Sequence, residues 1–438
     1  MSESGDGRDE ARMLLQQCCV RGARSGCSEC EHGWERRPQV RMSETGPVPE
    51  VGPTAPDVRR QLSELAGTPP SEWNAVTLLS DGADSFGAIL DLVRSAERCI
   101  QFENFIFRAD SVGRAFAAEL RRRAADGVHV QVVHDPVGAI MARRPPVDLL
   151  FRSSPVQVAM FNLGLGRRGV PSPGRDHRKL VVVDGRAFVA GGICLADPWA
   201  GNCVRHCTWR DSAVLVEGPA AQAASTAFDE AWGWSRSLLA ARGYPPAQHA
   251  PRRAEPSGLV PVRVLADLGR RRPTRAALER AIDASEREVL MTTPYFVPPA
   301  NLRDSLRRAL SRGVEVTLLL PRRNNHPIVG LSAEHGLGEL LDEGARVFLW
   351  SGAMLHAKSV VIDGAWTLIG SSNLDALSLD RNAELNIEIH GRAVGEAMAR
   401  LFLEDCASST PLTIDAWMQR TRIRRAAARA AWSLRAWQ

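Results

Sequence analysis

Two short phrases carry one spacing: "HRKLVVVDG" from His177 to Gly185 and "HAKSVVIDG" from His356 to Gly364. In each, a Lys follows the His by two positions, and an Asp stands just before the final Gly. Of the chain's 55 lysines and arginines only two are lysines, Lys179 and Lys358, and both lie in these phrases. Arginine serves wherever any positive charge suffices, so the two retained ammoniums mark a task suited to a compact point charge. The run after each His is apolar and strand-like. Residues two apart on a strand share a face, so each phrase aims an imidazole and an ammonium at one spot. An imidazole can attack phosphorus or hand a proton to a leaving alkoxide. An ammonium beside it neutralises a phosphate oxygen. A lone His-x-Lys is usually structural; two copies holding the only lysines point to phosphoryl transfer.

The second phrase is followed by "GSSN", Gly370 to Asn373. Ser371 and Asn373, at a strand-to-turn junction, are expected to bond the phosphoryl oxygens. Glu384 is a candidate to hold the imidazole tautomer from behind. The first copy departs: it reads "GGIC", so Gly192 replaces the serine and Cys194 the asparagine, while Asp211 stands where Glu384 stands. A thiol is a weak donor, and the lost contact is worth about 1–3 kcal/mol in the transition state. Reduced or specialised activity is the expectation. Asp184 and Asp363 complete the candidate catalytic set, but their place at strand ends before glycines reads as structural more than catalytic.

The elements that must position these groups also come twice, in an internal repeat of roughly 150–180 residues, the scale of a duplicated domain. "GAILDLVRSAERCIQFENFIF" and "GRAFAAELRRRAADGVHVQVVHD" each read as a helix running into a buried strand. "RAALERAIDASEREVLMTTPYFV" and "LRDSLRRALSRGVEVTLLLP" repeat that order. "DSAVLVEG" from Asp211 lies over "ELNIEIHG" from Glu384. The fold class is therefore α/β: two pseudo-symmetric halves, each a mixed, mostly parallel sheet flanked by helices. Residues 1–57 lack periodicity and read as disordered; "MSETG" at Met42 echoes "MSESG" at Met1, which suggests a start at Met42. The first half spans 58–242, a Pro/Gly-rich linker 243–258 and the second half 259–410. Residues 411–438 form a basic helix with three tryptophans. Trp417, Thr421, Ala428 and Trp432 can share one of its faces, either against anionic lipid or docked on the chain's own domain.

Composition bounds the rest. Hydrophobic residues at 44% and charged ones at 24% are globular values. A net charge of +5 suits an anionic partner without selecting one. The nine cysteines show no regular framework, which favours a reducing compartment. Cys27, Cys30 and His32, like Cys203, His206 and Cys207, lack the second ligand pair of a zinc site, so no metal is expected. No run reaches the ~18–20 apolar residues of a membrane span, and the N-terminus does not read as a secretory signal.

The paired phrases resemble the phospholipase D superfamily, whose two HxKx4Dx6GSxN motifs meet at one active site. "TPYFVP" (293–298), "WRD" (209–211), "EGP" (217–219) and "LHAKSVVIDG" (355–364) are similar to bacterial cardiolipin synthases. The resemblance covers about 75 to 410. It implies metal- and cofactor-free, two-step phosphatidyl transfer through a phosphohistidine, with phosphatidylglycerol as substrate and cardiolipin and glycerol as products. By analogy His177 is the nucleophile and His356 the acid/base, the reverse remaining open. Lys179, Lys358, Ser371 and Asn373 would clamp the phosphoryl oxygens, and Asp211 and Glu384 would orient the imidazoles. Peripheral contact with the inner face of the cell membrane is expected, supported by the basic tail and the apolar "VQVAMFNLGLG" from Val156. A phospholipase that uses water is the alternative, with a lipid-headgroup binder behind it. A nuclease is disfavoured: aromatics are 6%, the arginines are dispersed, and no nucleic-acid partner is expected.

Overall fold

The computed structural model describes residues 39–44, 48, 50–141, 147–161, 174–200, 209–237 and 255–434. In the first half these are β1 (Val40–Met42), α1 (Pro56–Ala66), β2 (Ser71–Leu79), α2 (Gly82–Arg94), β3 (Cys99–Asn104), α3 (Ser111–Ala125), β4 (His129–His134), α4 (Pro136–Met141), β5 (Gln157–Met160), β6 (Lys179–Val183), β7 (Ala187–Gly191), α5 (Asp197–Ala200), β8 (Ala213–Glu217) and α6 (Ala220–Ser237). The second half starts with β9 (Val260–Asp267), α7 (Pro273–Asp283), β10 (Glu288–Thr292), β11 (Phe296–Val297), α8 (Ala300–Ser311), β12 (Glu315–Pro321), α9 (Pro327–Asp342) and β13 (Arg346–Trp350). It continues with β14 (Ser359–Ile362), β15 (Trp366–Gly370), β16 (Leu374–Asp375), α10 (Ala376–Asp380), β17 (Glu384–His390), α11 (Arg392–Ala407), β18 (Ser409–Pro411), α12 (Ile414–Met418) and α13 (Arg422–Ser433).

One sheet runs through the molecule, in the order β18-β13-β12-β10-β14-β15-β17-β9-β2-β8-β7-β6-β3-β4-β5. Read outward from the β9–β2 seam, the halves mirror each other: β2, β8, β7, β6, β3, β4, β5 against β9, β17, β15, β14, β10, β12, β13. The seam itself is antiparallel and irregular, and Asn74 stitches it by donating to Val260 O at 3.0 Å. In this sheet only the outer strands of each half are parallel: β3 with β4 and β4 with β5, and β10 with β12 and β12 with β13. Its other pairings are antiparallel, which corrects the expected parallel majority; a separate two-stranded sheet pairs β11 with β16 in parallel. The physical reason is that each His-x-Lys strand turns straight back on itself. Asp184–Gly185 and Asp363–Gly364 all sit at positive φ, the geometry of a tight hairpin turn, so β6–β7 and β14–β15 are hairpins.

Every residue of β6 ("KLVVV") and β14 ("SVVI") is buried. β-Branched runs suit strands covered on both faces. The core falls into three clusters. One lies under α2 and α3, one under α7 and α8, and a central one takes residues from both halves, including Val182, Val214, Val264 and Ile387.

Two terminal expectations change. Within the 1–57 segment read as disordered, β1 pairs with β2 in the register Val40–Leu78 to Met42–Val76, and Met42 is buried in the central core. Three residues are too few to show periodicity. The C-terminal stretch is two short helices, not one. Trp417 Nε1 donates to Glu334 O at 2.8 Å, and the rings of Trp417 and Trp432 lie so close to Gly338 and Gly336 that no side chain fits there. Trp417 and Trp432 are thus docked on α9, and Trp437 lies outside the described residues. The cysteine clusters at 27–32 and 203–207 and most of the linker lie outside the described residues.

Candidate active site

The chain leads each imidazole into the opposite half. Just before β6, Asp176 bridges to Ala383, and His177 N donates to Ala383 O at 2.9 Å. Just before β14, Leu355 bridges to Arg210, and His356 N donates to Arg210 O at 2.7 Å. The next residue after each bridge partner is an acid. Glu384 therefore meets His177, with Nδ1 at 3.0 Å and 3.1 Å from its two oxygens, and Asp211 meets His356, with Nδ1 at 2.7 Å. The expected pairing of Glu384 with the imidazole of its own copy is corrected. Both acids hold imidazoles, and they do so crosswise.

All four groups are buried. Burial, together with the Lys charges, pulls the His177 pKa down and brings His356 to about 3 despite the adjacent carboxylates. Burial opposes ionisation of Glu384, but the bonded His177, the Lys179 charge and the Ser371 bond outweigh it and hold the group near 2. For Asp211 the Lys358 charge and the bonds from His356 and Trp199 likewise outweigh burial, and its pKa is lowered. Two neutral imidazoles thus donate Nδ1–H to two carboxylates, which turns the basic Nε2 of each away from its acid.

Lys179 Nζ donates to His177 O and Lys358 Nζ to His356 O. Lys358 also lies against its neighbour's ring, 2.8 Å from Nδ1 and 3.1 Å from Nε2. Burial lowers its pKa to about 8. The field of each ammonium reaches the imidazole of the other half, so the two phrases lie close together.

Ser371 is placed otherwise than expected. Its hydroxyl donates to Glu384 Oε2 and accepts from Leu385 N at 2.9 Å, so it positions an acid and has no proton left for a phosphoryl oxygen. Gly192 is its counterpart beside Asp211, where a Cβ would come within 2.0 Å of Asp211 Oδ1. The glycine makes room, and the Trp199 indole donates to Asp211 Oδ2 at 2.8 Å in place of a hydroxyl. Asn373 donates to Ser378 Oγ at 3.3 Å, while its buried Oδ1 has no partner. Cys194, the residue in the asparagine's place, is 1% exposed and packed in the first-half core.

Asp184 and Asp363 are removed from the catalytic set. Asp184 accepts from the backbone N–H of Glu97, Arg98 and Cys99 at 2.8–2.9 Å. Asp363 accepts from Glu286, Arg287 and Glu288, at 3.0, 2.8 and 3.0 Å. Each carboxylate gathers three successive donors where a helix hands over to β3 or β10, far along the strand from the imidazole.

A family model described as "Cardiolipin synthase, PLD-like domain" matches residues 278–406. Cardiolipin synthase A of Pseudomonas fluorescens (strain SBW25) is 34% identical over 356 residues, covering 80% of this chain and 72% of that protein. The chain belongs to the cardiolipin synthase family. The major cardiolipin synthase ClsA of Bacillus subtilis (strain 168) is 28% identical with the same coverage. Among solved structures, the phosphatidylserine synthase of Haemophilus influenzae Rd KW20 superposes with a TM-score of 0.67 at 14% identity, over 86% of this chain and 99% of that one. That likeness shows the fold. As a cardiolipin synthase family member the chain is an enzyme, a phosphatidyltransferase of the phospholipase D type.

In this cardiolipin synthase family member, three supporting residues escaped the sequence reading. Trp199 supports Asp211, and its ring meets His356 edge-on at 5.2 Å. Phe105 meets His177 at 5.0 Å and lies under the Lys179 ammonium at 5.3 Å. Arg178, fully buried, donates to Glu384 O, Ala227 O and Asp267 O at 3.2, 2.9 and 2.8 Å, stitching β6 to the second half. A signal for Arg178 existed: "HRK" puts a guanidinium in an apolar run where "HAK" has Ala357. Trp199 and Phe105 left none.

Proposed function

We propose that the chain joins two phosphatidylglycerols into cardiolipin with release of glycerol. His177 Nε2 attacks phosphorus, the N–P bond forms, and the bond to the glycerol oxygen breaks as His356 supplies that oxygen's proton. The hydroxyl of a second phosphatidylglycerol then gives its proton to His356 and attacks phosphorus, and the N–P bond breaks. What carries this reading is the crossed pair of Nδ1–carboxylate bonds, which leaves the Nε2 of each imidazole turned from its acid while the ammonium of each phrase acts on the imidazole of the other. The assignment of roles is supported by an asymmetry. His356 Nε2 lies against Lys358, a group with a pKa of about 8 that can trade a proton, and His177 Nε2 has no such neighbour among the described residues. A bound phosphodiester adds negative charge, which raises both imidazole pKa values and lets His356 hold the proton it donates. Lys179 and Lys358 neutralise the phosphoryl oxygens, and Asn373 completes the clamp.

Among the described residues no helix is long and apolar enough to cross a membrane. Contact with the inner face of the membrane is proposed for the outer face of α12–α13. There Ile423 is 83% and Met418 59% exposed beside the exposed Arg422, Arg425 and Arg429, an apolar and basic surface suited to anionic lipid. Incubation with phosphatidylglycerol vesicles tests the whole reading. Cardiolipin with equimolar glycerol is expected. Phosphatidic acid alone would make the chain a hydrolase, and binding without product a headgroup receptor.

A further inference from the structure

Beside the reaction centre lies a groove of about 630 Å³, within the ~300–1,000 Å³ range of ligand clefts. Its floor is apolar, built from Phe296, Leu331, Leu337 and Trp417. Its rim carries four guanidiniums, Arg322, Arg323, Arg420 and Arg424, against one carboxylate, Glu334. Arg420 and Arg424 already pair with Glu334, and Arg322 donates to Thr410 Oγ1 at 2.8 Å. Arg323 is exposed, with no partner among the described residues. An apolar floor under a net positive rim suits a molecule with an acyl tail and an anionic head.

Two connections place this groove on a path to the chemistry. Pro294 and Phe296 line it, and between them the half-buried Tyr295 donates its hydroxyl to Asn325 Oδ1 at 2.8 Å. Thr293 Oγ1 accepts from Leu374 N, the residue after Asn373, and β11 pairs with β16 in parallel. One short segment therefore forms the wall shared by groove and centre. The opposite wall is Trp417, Arg420 and Arg424, on or between the two helices whose outer face is proposed to meet the bilayer.

We infer that this groove seats one acyl chain of the anionic phospholipid whose phosphodiester is at the imidazoles. The inference rests on the phosphatidyl-transfer reading and adds where the lipid's tail lies. Leu331 and Ala333 are half-buried in the lining, so Leu331→Trp and Ala333→Trp fill the groove from a tolerant position. Each should lower the ratio of kcat/KM for dioleoyl- to dihexanoyl-phosphatidylglycerol by about tenfold, the loss of roughly two buried methylenes. An unchanged ratio in both overturns the inference. A second measurement needs no variant: full-length protein is irradiated on vesicles of phosphatidylglycerol with a diazirine at mid-acyl depth. Adducts on Leu331, Leu337 or Trp417 are expected; adducts found only elsewhere overturn the groove. If the protein turns over neither lipid, phosphatidyl transfer fails, and the labelling pattern still decides whether an acyl chain lies here.

Discussion

Glu384 and Asp211 hold equivalent places, at the head of β17 and just before β8, and each reaches an imidazole of the other half. They are supported by different means. Glu384, one methylene longer, takes a hydroxyl from Ser371 and a weaker bond from Asn382 at 3.4 Å. Asp211 takes the Trp199 indole and the backbone N–H of Ser212, both at 2.8 Å, over a glycine. The two halves agree on where the carboxylate ends and differ in the scaffold behind it. A serine in one half and a glycine with a tryptophan in the other are two solutions to one distance.

The largest expected effects break the pair itself. His177→Asn should abolish turnover and leave no protein-bound phosphorus. His356→Asn should slow turnover by ~10²–10⁴-fold, the usual worth of an acid/base, and let alkaline denaturing quench, under which the N–P bond survives, trap labelled phosphohistidine. Label in the first variant and not the second would exchange the two roles. Next comes Lys358→Arg, expected to cost roughly 10²-fold in kcat/KM with little change in unfolding midpoint, because a planar guanidinium replaces a point charge. In the wild type, kcat/KM should fall as pH rises through about 8, where Lys358 loses its proton. A profile flat to pH 10 would remove the ammonium from the mechanism.

Smaller effects sharpen the contrast. In double-mutant cycles on turnover, Asp211→Asn should couple to Trp199→Phe, and Glu384→Gln to Ser371→Ala, by about 0.5–3 kcal/mol. The exchanged combinations should add to within ~0.5 kcal/mol. Coupling of Asp211 to Ser371 would refute separate supports. Smallest for catalysis is Cys194→Asn. It places an amide in the apolar first-half core, so a stability loss of ~1–3 kcal/mol by denaturant titration is expected, without a rise in turnover.

How far the sequence was legible follows from what each residue advertises. His177, Lys179, His356 and Lys358 could be named because their types are scarce and their spacing repeats. Asp211 and Glu384 could be named because they open matching strands. Their crosswise assignment could not. It depends on the bridges Asp176–Ala383 and Arg210–Leu355, between segments that nothing in the text brings together. Ser371 misled because a hydroxyl serves an acid as readily as a phosphate. The parallel share was overestimated because helix–strand alternation is visible, whereas the hairpin return of β6 into β7 depends on positive φ at Asp184 and Gly185.

The swapped acids bear on ancestry. A single-copy forebear could steer its own imidazole only by borrowing an acid from a sister chain, so its working form would be a twofold dimer. Two copies joined in one chain meet independently of concentration, and neither need be identical to the other. The serine in one copy and the indole in the other are differences that such joining permits.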